Sequence, residues 1–583
     1  QIAKGASSVI NGVESMTGQI NMEHRKPTDE KPLFINAAVM SDTKMDFNIA
    51  SSLQMGENWS TVLLGHVSGN LSSHDMNGDS FLDEPRSMQF NFANRWLYQS
   101  DGGVQVRFGG RAIQDTRLGG QMLRDEDGNH VYYDKDNYIW NPLELKAMQV
   151  NPWGSYIQNR SLNGYMKIGI PLNEDNSQNI AMVGDLNYHS MNSYFGATKY
   201  LADQASAYGN LLYQNHMNES HKFTLGASAL YDRYVERYER KIWFNALPNV
   251  SGIPNPLTQM ATAGIFGEYT FHAGDKFTSI IGLRGDWYKK SGTEITGRFS
   301  PRITLKYMPI EEIVIRANGG RGVRYATPLI DNIGVFSTGK LITGEYANHI
   351  LEDAWTLGGN ITYYMPFGAS SNTYLSFDYF KTQFAQQMVV DYELTPNAID
   401  FYALDGGDSF TDNYQLDFSV DPVERFNITA TFRYTNAKIE LAGKGLVEKP
   451  MTSRFKGVLN LQYATNMNKW VFDFTASLNG SCRVYDFMKD LKDADGNLLY
   501  ANGRTPIYPL LYAQVTRKLR GVDIYVGAEN LTNFKQEPAI IGTRGADGYI
   551  NPRVASFDAS AIWGPLMGVK AHVGLRFTLW KKA

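Results

Sequence analysis

The chain has 583 residues, of which 43% are hydrophobic and 13% aromatic, and it carries a formal net charge of −4. A nearly neutral chain of this length has no global field that would collect nucleic acid, which argues against nucleic-acid binding. Cys482 is the only cysteine, which excludes an internal disulfide and a cysteine metal cluster. No apolar run approaches the roughly 20 residues of a membrane-spanning helix, which excludes a helical membrane protein.

The chain begins with a Gly- and Ser-rich stretch that ends in the short strand-like run GQINME. Further along, hydrophobic and polar residues alternate with a period of two. The clearest examples are FNITATFRYTN (426–436), WVFDFTASLNG (470–480) and VKAHVGLRFTLW (569–580). This alternation predicts β-strands that have one apolar and one polar face.

Two classes of connection join these strands, and the classes alternate strictly along the chain. Short turns include 56–58, 100–103, 272–276, 308–312 and 465–469, whereas long polar segments cover about 115–158, 236–261, 325–354, 385–410, 482–507 and 533–568. The segments between these connections number about 22, and each is counted as one strand. The pattern predicts an all-β protein, a 22-stranded antiparallel transmembrane barrel that is apolar outside and polar inside. A soluble β-sandwich also alternates, but no change of composition marks a linker between sandwich domains.

One loop, DMNGDSFLDEPR (75–86), has the spacing of a calcium-binding loop. Asp75, Asn77, Asp79 and Asp83 occupy its positions 1, 3, 5 and 9. Ca²⁺ takes six to eight hard oxygen ligands, and alternate residues of a tight loop can point their oxygens inward. The match is incomplete, because position 6 is not glycine and position 12 is not glutamate. The alternative is a solvated acidic turn without metal.

A second candidate binding region is aromatic. The long loop 138–160 carries Tyr138, Trp140, Trp153 and Tyr156 and ends in Arg160. Aromatic side chains in a long loop can stack on a bulky ligand, and an arginine can pair with its carboxylates or phosphates. The same residues can equally form an interfacial girdle or pack within the loop.

Arg324 and Tyr325, predicted at the top of strand thirteen, are candidates for ligand contact on the same grounds. The sequence contains no Gly-x-Ser-x-Gly elbow, P-loop or HExxH motif, so we do not expect an enzyme.

Several motifs resemble TonB-dependent outer-membrane receptors, and they occur in that family's order. KGASSVINGVESMTGQINM, with Gly5, Gly12, Gly18 and Asn21, is similar to the end of the family's plug domain. The motifs that follow it are SPRITLKYMP (300–309), RANGGRGVRYATP (316–328), EYANHILEDAWTLGGN (345–360), GAENLTN (527–533) and the closing VGLRFTLW. The resemblance covers essentially the whole chain.

The resemblance implies a C-terminal plug remnant at residues 1–27 and a barrel with long extracellular loops at residues 28–583. It implies an outer-membrane location among lipid and lipopolysaccharide, and active import energised by a TonB–ExbB–ExbD complex through a preceding N-terminal part. Without that part, we expect the chain alone to behave as a leaky pore or to represent an incomplete gene. The glycines would supply tight turns where the plug meets the barrel wall.

The expected cargo is a scarce, bulky nutrient, above all a metal–siderophore chelate or cobalamin. Cobalamin receptors of the family hold calcium in acidic extracellular loops, which favours Ca²⁺ at residues 75–83. The alternatives are receptors for copper complexes or glycans, and a passive porin. The plug motif from Gly5 to Asn21 contradicts the porin. An outer-membrane enzyme or adhesin would need an active-site constellation in the lumen or the long loops.

Overall fold

The computed structural model describes residues 2–5, 8–20, 22–28, 31–125, 127–136, 152–240, 250–251, 253, 257–369, 373–492, 495–544, 549–552 and 554–579. Its principal strands form a closed, 22-stranded antiparallel barrel. Numbered β1 to β22 in chain order, they are Leu33–Met40, Met45–Met55, Trp59–Asn70, Arg86–Gln99, Gln105–Gly120, Gly154–Pro171, Gln178–Phe195, Thr198–His216, His221–Arg240, Leu257–Ala273, Phe277–Lys290, Arg302–Ile310, Ile313–Tyr325, Leu351–Tyr364, Tyr374–Asp391, Phe410–Val423, Phe426–Leu441, Phe455–Ala464, Trp470–Asn479, Tyr508–Lys518, Val522–Glu529 and Lys570–Leu579.

The barrel closes where the first and last strands pair, with Leu33 opposite Leu579 and Met40 opposite His572. Closure leaves no sheet edge unpaired, which is the condition that a lipid environment imposes on backbone N–H and C=O groups. The predicted number of strands and the all-β, antiparallel fold are therefore confirmed.

The predicted two-faced strands are also confirmed, because their apolar faces point away from the lumen. Phe432, Phe472 and Leu575 are 49%, 42% and 43% exposed. Residues of this kind would be buried in a soluble sandwich, but on an outer-membrane barrel they face lipid.

The connections differ from the prediction at two places. Each even-numbered strand from β2 to β20 is joined to the next strand by a short connection, as expected, and the longest of these covers residues 365–373. At the opposite end, most connections are long, but residues 41–44 and 196–197 join β1 to β2 and β7 to β8 tightly. Gly196 has a φ of 54°, a left-handed conformation that permits the second of these hairpin turns. The strict alternation of short and long connections is therefore wrong at these hairpins.

The remaining elements are short. Two strands near the N-terminus, Ile2–Lys4 and Gly18–Ile20, pair with each other. Further short strands are Leu123–Arg124, His130–Val131, Val250–Ser251, Thr296–Phe299, Leu341–Gly344, Ala398–Asp405 and Gly445–Glu448. The helices are Pro328–Asp331 and the 3₁₀ turns Val9–Asn11, Ile333–Ser337, Asn466–Asn468 and Asp486–Met488. Among the described residues, no helix is long and apolar enough to cross a membrane.

The largest hydrophobic core lies at the end of the barrel that carries the long loops. We call the loops and strand ends that share this core the loop cap. Its buried members are Phe81, Tyr133, Trp153, Tyr194, Phe195, Ala197, Tyr200, Tyr238, Leu329, Val335, Phe336, Ile342, Ile399, Phe401, Ala539, Ile540, Ile550 and Phe557. Loops that are hundreds of residues apart in sequence thus pack on one another instead of extending separately into solvent.

Candidate functional site

The described residues of the N-terminal segment, 2–5 and 8–20, lie inside the barrel against strands β8 to β15, and we call them the lumen segment. Its 3₁₀ turn begins where the Ser8 hydroxyl accepts the backbone N–H of Ile10 at 3.1 Å. The same hydroxyl donates to the carboxylate of Glu268 on β10 at 2.5 Å. Val9 is completely buried and packs against Leu212 and Phe266. A hydrophobic side chain and a capped turn therefore fix this segment on the wall.

Two arginines of the barrel wall bind the backbone carbonyls of the lumen segment. Arg302, on β12, donates to the carbonyls of residues 8, 12 and 15 at 3.2, 3.0 and 2.9 Å. Arg284, on β11, donates to the Val9 carbonyl at 3.3 Å, and it is held in place by Asp286 and by Ser228. Guanidinium N–H groups of the wall thus bind backbone carbonyls of the lumen segment in a buried setting.

The wall is also shaped to admit the backbone of the lumen segment. A Cβ atom on Gly322 of β13 would lie 2.3 Å from the Ser15 carbonyl oxygen and 2.5 Å from the Cα atom of Met16. A Cβ atom on Gly282 of β11 would lie 2.7 Å from the side chain of Val9. Glycine at these positions therefore permits an approach that any other residue would block.

The glycines of the predicted plug motif do not share one role. Gly5 has a φ of +79°, which favours glycine, and a Cβ atom there would meet the Asn318 side chain. Gly12 ends the 3₁₀ turn with an ordinary φ of −89°, and what it supplies is space beside Arg302. Gly18 lies in the strand Gly18–Ile20, and Asn21 lies outside the described residues.

Arg324 and Tyr325 stand at the end of β13, as predicted, but their neighbours belong to the protein itself. The Arg324 guanidinium forms ion pairs with Glu352 at 2.9 Å and with Asp331 at 3.2 Å. The backbone N–H of Tyr325 bonds Glu14 of the lumen segment. Burial raises the pKa of Glu14 to about 7, with a further contribution from a nearby wall carboxylate. These residues therefore connect the lumen segment to the loop cap.

The candidate aromatic loop is only partly described, because Tyr138 and Trp140 lie outside the described residues. Trp153 is buried in the loop cap, where its ring lies 4.9 Å from that of Phe557. Tyr156, on β6, lies 6.4 Å from the ring of Tyr194. Arg160 is exposed on the same face of β6 as Leu162, which points away from the lumen. Of the described members, Trp153 and Tyr156 therefore pack in the loop cap, whereas Arg160 points away from it.

The acidic loop folds around the carboxylate of Asp75, which accepts the backbone N–H groups of residues 78, 79 and 80 at 2.7, 3.1 and 2.8 Å. Asp79 bonds the side-chain amide of Asn77 at 3.1 Å. Ser80, at position 6, adopts a φ of +68°, the conformation that glycine supplies in calcium loops. Asp83 has one buried oxygen without a partner. In the described part of the chain, no three His, Cys, Asp or Glu residues are grouped as a metal site.

Calcium binding at this loop remains a prediction, and Asp83 offers a test of it. Burial, together with Asp75 and Asp79, raises the pKa of Asp83 to about 7. The stabilisation from its neutral carboxyl is therefore complete below the ordinary pKa of about 4 and is lost as pH rises through about 7. Without calcium, Asp83→Asn should increase amide protection in the loop at about pH 8 and leave it unchanged at about pH 5.

Hydrogen exchange of the amides of residues 76–81, referenced to an unstructured peptide, measures this effect. If the loop binds calcium, adding the ion at about pH 8 protects these amides in the wild type and not in Asp83→Asn. Asp125→Asn, in a separate exposed turn, is the control and should change nothing at residues 76–81. If calcium changes the amide protection of neither the wild type nor Asp83→Asn, the loop does not bind the metal.

The residues that bind the lumen segment were not among the predicted site residues. Arg284, Arg302 and Gly322 lie on the polar faces of their strands, so the period-two pattern does identify them as facing the lumen. The pattern carries no signal for which lumen-facing arginine meets another part of the chain, because that depends on the register of the closed sheet.

The closed barrel with its outward apolar face defines the class of outer-membrane β-barrels, and it binds a segment of its own chain inside the lumen. Residues 61–531 match the family model described as "TonB dependent receptor-like, beta-barrel". The chain therefore belongs to the TonB-dependent receptor family, and it is an outer-membrane β-barrel. No curated protein matches its sequence.

Solved structures share this fold at low sequence identity. The siderophore receptor PiuA from Acinetobacter baumannii has a TM-score of 0.67 at 13% identity, over 99% of this chain and 86% of that chain. The FrpB iron transporter from Neisseria meningitidis, F5-1 variant, has a TM-score of 0.69 at 11% identity, over 99% and 88%. The ferripyoverdine receptor from Pseudomonas aeruginosa has a TM-score of 0.67 at 12% identity, over 99% and 76%.

Proposed function

We propose that the protein is a receptor for the active uptake of a scarce, bulky nutrient across the outer membrane. The observation that carries this proposal is the lumen segment, whose backbone is held on the barrel wall by Arg284 and Arg302. An open porin has no need of buried side chains that bind a segment inside its lumen. A receptor that releases its cargo only on demand does need such a segment.

A metal–siderophore chelate is the cargo that we place first, and cobalamin second. Three structural neighbours are a siderophore receptor, an iron transporter and a ferripyoverdine receptor, which supports the first choice. The acidic loop at residues 75–83 supports the second through its calcium-like spacing. Cargo would first meet the loop cap, which stands at the end that we assign to the cell exterior.

We propose that residues 1–27 are the end of a plug domain and that residues 28–583 form the barrel. Energy would come from a TonB–ExbB–ExbD complex in the inner membrane. Work done by that complex has to break the hydrogen bonds between the lumen segment and the wall. The buried guanidinium of Arg302, with its three bonds, then forms a large part of the resistance to that work.

Uptake by cells tests the proposal. A strain that lacks the gene, and the same strain complemented with it, are supplied with labelled ferric chelate or labelled cyanocobalamin at nanomolar concentration. We expect accumulation of one of the two only in the complemented strain, with loss of accumulation when an uncoupler collapses the proton gradient. Uptake that survives the uncoupler would identify a passive porin and contradict the proposal, and so would no difference between the strains with either cargo.

A further inference from the structure

A groove of about 560 Å³ opens on the outer surface of the barrel, across strands β8 to β11. Successive side chains of a strand point to opposite faces, and the exposed Leu211 and Ile265 identify the outward face of β8 and β10. The residues of that face that line the groove are small, namely Ala207, Gly209, Ala229, Ala261 and Ala263. The groove is therefore a depression in the surface that meets lipid, and it lies outside the lumen.

The shape of the groove follows from the sizes of its side chains. Ala229 and Ala263 stand opposite each other in the sheet register. A Cβ atom on Gly209 would meet no atom within 4 Å apart from its own chain neighbours. Tyr231 and Trp287 are exposed on the same face and are much larger. Small residues therefore form the floor of the groove, and two aromatic side chains form its walls.

The groove lies at the level where the lipid-facing band ends. Towards the short turns, the next outward residues are Leu211, Ile265 and Leu283, which are exposed and purely apolar. Tyr231 and Trp287 have the amphipathic rings that collect at the boundary between hydrocarbon and headgroups. Because the long loops stand at the end that we assign to the cell exterior, this boundary belongs to the outer leaflet.

Two basic side chains stand at the edge of the groove nearer the long loops. Lys289 lines the groove on β11, and Arg233 is the next outward residue after Tyr231 on β9. Both are exposed, and across the described ranges of the chain neither forms an ion pair with a carboxylate. The outward carboxylate of Asp203, on β8, accepts a hydrogen bond from Tyr188 on the side away from Arg233, at 3.3 Å. The edge of the groove is therefore positively charged.

We propose that this groove binds one anionic lipid of the outer leaflet, with an acyl chain over the small residues and a phosphate beside Arg233 and Lys289. Guanidinium and ammonium groups both bind phosphate, and basic residues at headgroup height attract anionic lipids. A lipid in the bilayer presents its phosphate at this height and its chains directly below, which is the order of charged edge and apolar floor in the groove. The proposal rests on the outer-membrane location and is independent of import.

Native mass spectrometry of the purified 583-residue chain in detergent micelles tests the site, because it counts the lipid molecules that stay bound. The probe is dipalmitoyl phosphatidic acid, and we expect one molecule to bind the wild type more tightly than any further ones. Arg233→Gln/Lys289→Gln should weaken this binding at least about fivefold, because two charges beside the phosphate are lost. Ala229→Leu/Ala263→Leu should also weaken it at least about fivefold, because the larger side chains fill the floor of the groove.

Matched controls place the same kinds of change elsewhere on the outward face. Arg517 lies near the short-turn end of β20, opposite the exposed Trp470, and Ala476 lies on β19 opposite the exposed Leu459. Arg517→Gln and Ala476→Leu should each change the affinity for phosphatidic acid less than about twofold.

Heat-dependent mobility on denaturing gels shows whether each variant keeps its barrel. If a double variant does not fold, the single variant Lys289→Gln or Ala263→Leu replaces it, and we expect at least about threefold weaker binding. Equal binding by the wild type and the groove variants, or equal weakening by the controls, would overturn the proposal.

Two further probes distinguish a lipid site from a site for free anions. Dipalmitoylglycerol, which has the same chains without the phosphate, should bind the wild type at least about fivefold more weakly than phosphatidic acid. Inorganic phosphate at the same concentration should leave bound phosphatidic acid in place. Displacement by inorganic phosphate would identify an anion site that needs no acyl chain, and equal binding of the two lipids would show that the charged edge is not used. Either result contradicts the proposal.

Discussion

Replacing Arg302 with methionine is expected to release the lumen segment from the barrel wall. The substitution removes three hydrogen bonds from a charged donor to backbone carbonyls, each of which contributes about 1.5 to 3 kcal/mol. The wall would then no longer bind the carbonyls of Ser8, Gly12 and Ser15. We expect the amides of residues 8–16 to lose most of their protection from hydrogen exchange, and the conductance of the chain in planar bilayers to rise.

Arg316→Met provides the matched control. Arg316 also faces the lumen, one strand away on β13, but its guanidinium donates to the side chain of Asn360 on the neighbouring strand. The control should leave exchange at residues 8–16 unchanged. If both variants behave alike, or if neither changes exchange or conductance, then Arg302 does not hold the segment.

Replacing Phe557 with alanine is expected to loosen the loop cap without unfolding the barrel. Phe557 is 1% exposed, and its ring packs against Trp153 at 4.9 Å and Phe81 at 6.2 Å. Its carbonyl also accepts the N–H of Gly339 at 2.7 Å, so Phe557 stands where its own loop meets three others. Truncating a buried phenylalanine costs about 3 to 5 kcal/mol. Limited proteolysis should therefore cut the long loops much faster in this variant.

Ile562→Ala, in the same loop, is the control, because Ile562 is 39% exposed and loses little burial on truncation. The barrel itself should stay resistant to protease in both variants, since its strands pair independently of the cap. Equal cleavage of wild type and Phe557→Ala would show that the aromatic core does not hold the loops together.

The barrel could be predicted from sequence because the residue pattern of each strand and turn depends on its local environment. Alternation within single strands such as Lys570–Leu579 records which face meets lipid, and turn residues such as those at 56–58 record where strands end. The tight hairpin at 196–197 was not predicted. Its flanking residues Phe195 and Ala197 are apolar members of the loop cap, and nothing local distinguishes them from residues of a strand.

The site was harder to predict because its contacts join distant parts of the chain. Trp153 suggested a ligand-stacking residue, yet its partners Phe81 and Phe557 come from other loops, and their approach follows from closure of the barrel. Arg324 suggested an anion contact, but Glu352 lies directly opposite it in the sheet register. A sequence shows that an arginine faces the lumen, whereas only the register shows what already satisfies it.

The geometry at Arg302 has a mechanical consequence. The carbonyls that it binds belong to residues 8, 12 and 15, so one side chain holds both ends of a single tight turn. A tensile load on this turn is therefore shared by three bonds in parallel, whereas the bonds of a β-ladder pulled from one end break in succession. The three hydrogen bonds of Arg302 should therefore resist steady pulling and then break together, so that the whole turn is released from the wall in one step.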